Sequence, residues 1–336
     1  MMPLAVVLAA AVAQVPLAQP PTFSAGIDAV YLDVSVRRNG QPVPGLGAAD
    51  FELTDEGSPR PVEVIEGANA AVHAILALDV SSSVQGGRLE ALRAAAQSFL
   101  DGLGPQDRAT LLTFSHRVRL ETKVGAAPAE ARAALGRAQA GGGTALLDAA
   151  FAAVALADRR HGRPIVILFS DGADELSWLS EERLHALVRD GMGVVHVVAA
   201  TALPANARQS ARVELDDRGR AAREGASEGM FGIRGRTSDA RRVFDAQARV
   251  SMQPAQGAEI PAVLAALANE SGGDVWRAGE DAGLGHAFAA ALAEVRSRYV
   301  LRFEPASGRP GEWRDVKVRV RGGRGDVRAR KGYRAR

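Results

Sequence analysis

From residue 73 onward the apolar positions follow two alternating rhythms. Runs of consecutive apolar residues, 73–78 and 164–169 above all, read as strands buried on both faces. Between them lie stretches with apolar residues three and four apart, as at Leu89, Leu92, Phe99, Leu100 and Leu103, which read as an amphipathic helix stopped by Gly104-Pro105. The pattern predicts a strand over 108–115 with a hairpin partner over 118–123, then helices over 128–139 and 145–158. After the strand 164–169 it predicts a helix over 180–190 and a strand over 194–199. A helix over 260–269, a short strand over 274–276 and a helix over 283–296 follow. Strands alternating with helices in this way predict an α/β fold, a doubly wound, mostly parallel Rossmann-like sheet over 72–297.

The two ends follow a different rule. Period-two alternation at 29–36, 51–54 and 62–65, with turn chemistry at Asn39-Gly40 and Glu56-Gly57-Ser58-Pro59, predicts a small antiparallel unit within 27–68. Alternation returns at 298–303, 313–320 and 327–333, so 298–336 is expected to pack against the first unit as a flanking β domain. The stretch 201–259 is polar, rich in arginine, alanine, glycine and glutamine, and reads as an insertion with little order of its own. Residues 1–13 form an apolar run ending in Ala11-Val12-Ala13, followed by a proline-rich spacer over 14–26. This resembles a secretory signal with a small-residue cleavage site, although it lacks a basic start. No other stretch is apolar enough for a transmembrane helix, so the expected location is secreted or periplasmic.

Composition narrows the chemistry. With 41 basic and 39 acidic residues the 336-residue chain carries a formal charge of only +2, which does not suggest a nucleic-acid partner. It has no cysteine, which excludes disulfides, thiolate metal sites and cysteine catalysis. The six histidines are scattered, without a metal-binding pair at helical spacing, and no general base suggests itself.

Oxygen donors are better placed. Asp79, Ser81 and Ser83 follow the first buried strand, Asp171 follows the strand 164–169, and Thr144 opens a helix after Gly141-Gly142-Gly143. Any one of these residues reads equally well as a helix cap. Together, two carboxylates and three hydroxyls at the carboxyl ends of strands suit a hard cation, Mg²⁺ or Mn²⁺ rather than Zn²⁺ or copper. A divalent ion held by so few charges keeps a position attractive to a carboxylate from outside.

The stretch from about Val72 to Arg296 resembles a von Willebrand factor type A domain. Asp79, Ser81 and Ser83 match its Asp-x-Ser-x-Ser motif, Thr144 its threonine and Asp171 its second aspartate, which together make a metal-ion-dependent adhesion site. Gly45-Leu46 with Asp50-Phe51-Glu52-Leu53, and the closing Arg330-Lys331-Gly332-Tyr333, resemble the flanks of bacterial VWFA-related proteins, which are typically exported. The resemblance implies Ser81, Ser83 and Thr144 as direct ligands of Mg²⁺, with Mn²⁺ or Ca²⁺ as alternatives, and Asp79 and Asp171 bound directly or through water. It implies a non-enzymatic adhesion or interaction module that takes an Asp or Glu carboxylate of a protein partner. The alternatives are a metal-dependent hydrolase of phosphate or ester bonds and a scaffold with a structural metal. The Gly-x-Ser-x-Gly run at 225–229 falls inside the insertion, away from the strand and helix that a nucleophile elbow needs. Asp174 reads as a helix cap, and Asp148 as a residue that holds the Asp79 loop.

Overall fold

Strand-forming residues come first along the chain: β1 (Val30–Arg38), β2 (Gln41–Pro42), β3 (Phe51–Asp55), β4 (Ser58–Arg60) and β5 (Glu63–Glu66). The structure, a computed structural model, describes residues 29–66, 70–171, 174–200, 262–278, 281–323 and 325–335. The expected signal at 1–13, the spacer at 14–26, the insertion at 201–259 and the run at 225–229 lie outside the described residues. The α/β part is built from β6 (Val72–Asp79), α1 (Gly87–Asp101), β7 (Arg108–Phe114), β8 (Val118–Leu120), α2 (Pro128–Leu135), α3 (Leu146–Ala155) and β9 (Arg163–Ser170). It continues through α4 (Glu181–Asp190), β10 (Val194–Ala200), α5 (Ala262–Ser271), β11 (Val275–Ala278) and α6 (Asp281–Ser297). The chain closes on β12 (Tyr299–Phe303), β13 (Trp313–Val320), β14 (Asp326–Arg328) and β15 (Gly332–Arg334).

Six strands form one sheet in the order β11-β10-β9-β6-β7-β8, with β8 antiparallel and its neighbours parallel. Every residue of β6 and β9 is buried, because helices cover both faces. Alternation along β6 sends Leu76 and Leu78 toward Leu92, Phe99, Phe288 and Val295 of α1 and α6. It sends Ile75 and Ala77 the other way, toward Leu146, Ala150, Leu184 and Leu267 of α3, α4 and α5. This is the doubly wound architecture the patterning predicts.

The flanking strands form a two-sheet sandwich. One sheet runs β14-β1-β12-β5 with β2 on β1, the other β15-β13-β3-β4, so each sheet mixes strands from both ends of the sequence. Leu32, Val34, Phe51, Leu53, Leu301, Phe303, Val316 and Tyr333 fill the space between them. The single strand predicted over 327–333 is two: β14 pairs with β1, and β15 pairs with β13 in the opposite sheet. Close packing at Gly332 accompanies this crossing, since a Cβ there would lie 2.3 Å from the Arg314 carbonyl oxygen and 2.5 Å from the Trp313 ring.

Sandwich and α/β layer meet through buried charge. Only Arg298 separates α6 from β12, and its side chain is fully buried. It donates to Asp33 Oδ1 at 2.9 Å, Glu294 Oε1 at 3.0 Å and the Gly272 carbonyl at 2.8 Å. Arg163, at the start of β9, reaches Asp33 Oδ1 at 3.3 Å and the Val295 carbonyl at the end of α6. Arg37 of β1 pairs with Glu294 at 2.6 Å and Asp274 at 2.9 Å. Burial opposes ionisation of Glu294, yet Arg298, Ser35 and Arg37 hold its carboxyl below the usual carboxylate range.

Removing one member of such a network strands its partners away from water. Arg298→Ala is expected to lower unfolding free energy by about 3–5 kcal/mol, while Arg302→Ala, at a solvent-exposed pair with Glu63, costs far less. Urea unfolding of the two variants checks this, and equal losses would contradict the role given to the network.

Candidate metal centre

Parallel pairing sets the site. Leu78 of β6 stands opposite Phe169 of β9, so Asp79 reaches the level of Ser170, and Asp171 follows immediately. Asp79 is fully buried. Its Oδ1 accepts from the Ser81 backbone N–H at 2.9 Å, and its Oδ2 accepts from Ser170 Oγ at 2.8 Å. The next residues turn through a 3-10 segment, Ser82–Val84, that brings Ser81 Oγ and Ser83 Oγ to 2.9 Å from each other. Ser83 Oγ then donates to Asp171 Oδ1 at 2.7 Å. The other oxygen, Asp171 Oδ2, accepts from Arg88 Nη1 at 2.8 Å, with the two side chains only 7% and 1% exposed.

A second loop is stitched beside this one. Gly141 N–H donates to the Val80 carbonyl at 2.8 Å, Ser82 N–H to the Gly142 carbonyl at 2.9 Å, and Ala145 N–H to the Ser115 carbonyl at 2.8 Å. Gly142 has φ +88°, which favours glycine, and a Cβ there would lie 2.3 Å from His116 Nδ1, so any side chain would have to displace that ring. Thr144 is buried in this loop, its carbonyl accepting from Glu175 N–H at 2.9 Å and Leu176 N–H at 3.0 Å. The structure thus joins the side chains of Asp79, Ser81, Ser83 and Asp171 in one group and puts Thr144 on the adjoining loop. Among the described residues no hydrogen bond links the Thr144 hydroxyl to the other four.

Two acids nearby have structural work. Asp174 Oδ1 caps α3, accepting from Leu146 N–H at 2.7 Å and Leu147 N–H at 3.3 Å. Asp148 holds a different loop from the one expected: its carboxylate accepts from Trp178 N–H at 3.1 Å and Leu179 N–H at 3.0 Å rather than from the loop after Asp79. That leaves Trp178 fixed at its backbone and 96% exposed, with Leu176 38% exposed on the same loop.

Charge at the centre is unbalanced. Burial first, and the nearby Asp171 second, push the Asp79 carboxyl from 3.8 up to about 6, against the pull of its bonds to Ser81 and Ser170. Among the described residues no basic side chain pairs with Asp79, whereas Asp171 has Arg88. A buried carboxylate with only neutral donors, flanked by hydroxyl oxygens, suits a hard divalent cation in chemistry and in charge. Among the described residues no three His, Cys, Asp or Glu side chains gather as a metal site, so a cation held here would need the hydroxyls as well as the carboxylates. Sequence reasoning missed Ser170 and Arg88. Ser170 had a signal, a lone hydroxyl ending an apolar strand, while Arg88 reads simply as part of a helix start.

Residues 74–173 match the family model of the von Willebrand factor type A domain. Among solved structures, BatB from Bacteroides thetaiotaomicron is similar at 17% identity and TM-score 0.42, over 68% of this chain and 100% of that one. A von Willebrand factor type A protein from Catenulispora acidiphila is similar at 12% identity and TM-score 0.47, over 90% of this chain and 72% of that one. The von Willebrand factor domain of the pilus tip protein Mfa5 from Porphyromonas gingivalis is similar at 21% identity and TM-score 0.29, over 31% and 39%. No curated protein matches the chain.

The raised Asp79 carboxyl has a consequence for stability. Folding favours the protonated form, so its stabilisation is fully present below pH 3.8 and is lost as pH rises through about 6. In a chelating buffer at pH 7.5, Asp79→Asn is expected to be more stable than the parent by about 1–3 kcal/mol, a gap that closes toward pH 4. Denaturant unfolding across this range measures it, and parallel pH profiles would show that the buried charge carries no penalty.

Proposed function

We propose that this chain is an exported, secreted or periplasmic interaction module that binds an acidic group of a protein partner through Mg²⁺. Asp79, Ser81, Ser83, Thr144 and Asp171 would hold the ion, and the work is recognition rather than catalysis. The observation that carries this reading is Asp79 itself, buried, paired with no basic side chain among the described residues, and beside a second carboxylate and two hydroxyls. The match of 74–173 to the type A family supports it. A bound divalent ion supplies a concentrated positive charge that an external carboxylate can approach. Among the described residues no helix is long and apolar enough to cross a membrane.

One carboxylate on one ion is a small contact, and most affinity must come from its surroundings. The loop carrying Leu176 and Trp178 supports that role. Its backbone bonds to Thr144 and Asp148 hold it beside the centre, and it turns a large aromatic side chain outward at little further cost in order. Hydrolysis would need a base at the centre. His116 packs over Gly142 at the rim and bonds to Ser115 Oγ at 3.3 Å, outside the Asp79, Ser81, Ser83 and Asp171 group.

Mg²⁺ added to chelator-treated protein is expected to raise its unfolding free energy by about 2.7 kcal/mol at a hundredfold excess over the dissociation constant. Asp171→Ala should remove that response and abolish metal-dependent capture of partners from native extract. Trp178→Ala should keep the response and lose capture. Thermal melts and pull-downs with and without chelator read both, and capture that survives chelation would overturn the proposal.

A further inference from the structure

The sandwich has a concave edge that the metal centre does not use. Among the described residues β4 ends one sheet and β5 ends the other, and only Pro61 and Val62 join them, so both sheets stop on the same side. A cavity of about 610 Å³ lies there, within the size range of small-molecule sites, and none of its lining residues belongs to the metal centre. Phe51 and Leu53 of β3, with Pro59, Pro61 and Val62, supply its apolar wall. Arg60 interrupts that wall. It stands opposite Leu53 in the β3–β4 ladder, and Leu53 is a buried core residue, so the Arg60 side chain leaves its strand on the core face. Its Nε is buried without a hydrogen-bond partner, and among the described residues no acid pairs with its guanidinium. Glu52, also at the cavity, is turned to the outer face and lies 3.7 Å from Arg321 in an exposed pair. Arg314 shows what the sandwich does with another inward arginine: its Nε and Nη2 each donate to Asp55 at 3.0 Å.

From this geometry we infer that the cavity is a binding site for a small amphipathic carboxylate, whose charged end takes Arg60 and whose apolar body covers Phe51, Leu53 and Val62. The inference is independent of the metal reading. A buried donor without an acceptor costs free energy, and a ligand that brings the acceptor removes that cost. Arg60 offers its Nε–H and one Nη–H as a planar fork, which a carboxylate meets with two parallel bonds, as Asp55 meets Arg314. One guanidinium balances one negative charge, which favours a carboxylate over a phosphate monoester. The apolar wall gives the rest of such a ligand a surface to leave water for. An inward charge and a proline also discourage strand addition at a sheet edge, and Arg60 and Pro59 fit that role as well. A guard of that kind needs no cavity beside it, so ligand binding separates the two accounts.

Calorimetric titration of octanoate into the whole chain tests this, with octanol and octylammonium as the uncharged and cationic references. Chelator is present throughout, so that the carboxylate cannot bind through a cation at the metal centre. Octanoate should bind at least roughly tenfold more tightly than octanol, and octylammonium more weakly still. Arg60→Gln should weaken octanoate roughly tenfold and leave octanol unchanged. Ala49→Glu, which puts a negative charge at an exposed position on the cavity wall, should also weaken octanoate and not octylammonium. Circular dichroism checks that the variants fold, and if Arg60→Gln does not, Ala49→Glu decides. Absence of octanoate binding, equal binding of octanoate and octylammonium, or octanoate binding that ignores both substitutions would overturn the inference and leave Arg60 as a guard of the edge.

Discussion

Parallel pairing of β6 with β9 brings two acids to the same edge of a sheet that is sealed on both faces. With Leu78 opposite Phe169 and apolar side chains filling the layers above and below, the strand ends cannot draw apart to relieve the repulsion between Asp79 and Asp171. The chain answers that repulsion unevenly. Asp171 receives a guanidinium, and among the described residues Asp79 receives uncharged donors, the Ser81 and Ser170 hydroxyls and the Ser81 backbone N–H. The loop after β6, the glycines at 141–143 and the first turn of α1 are all arranged around this one imbalance.

A second set of charges, at the far end of the same helices, fixes where the sandwich sits. α6 lies against the sheet through Phe288 and Val295 and runs into β12 with only Arg298 between. Arg298 and Arg163 each find acceptors on more than one element, from Asp33 of β1 to the Gly272 and Val295 carbonyls. The same arginines, with burial as the larger cause, push the fully buried His196 well below the ordinary histidine range, so it remains neutral. Apolar groups could fill this interface as well, but several fixed acceptors per guanidinium allow far fewer ways for the two parts to dock.

Much of this was legible in the sequence because the period of apolar residues is set by burial geometry. Two strands buried on both faces read as unbroken apolar runs, the helices as stripes, and the outer strands as alternation. Asp79, Ser81, Ser83 and Asp171 stood out because polar residues end apolar runs there, and the structure brings their side chains together. Thr144 stood out through its glycines, and its loop adjoins theirs. Arg88 and Arg298 were not legible. An arginine at a helix end usually lies in water, and nothing local says that a carboxylate 83 or 265 positions away in sequence will meet it. The splitting of 327–333 between two sheets was hidden for a similar reason, since β14 finds its partner in β1 and β15 finds its partner in β13, both far away in sequence.

The most direct measurement is a crystal structure of the protein grown with Mn²⁺, read by its anomalous scattering. The account requires one strong peak within bonding distance of Ser81 Oγ and Ser83 Oγ, with Arg88 still on Asp171 Oδ2. A map with no peak at that position, under a manganese concentration that saturates binding in solution, would contradict it.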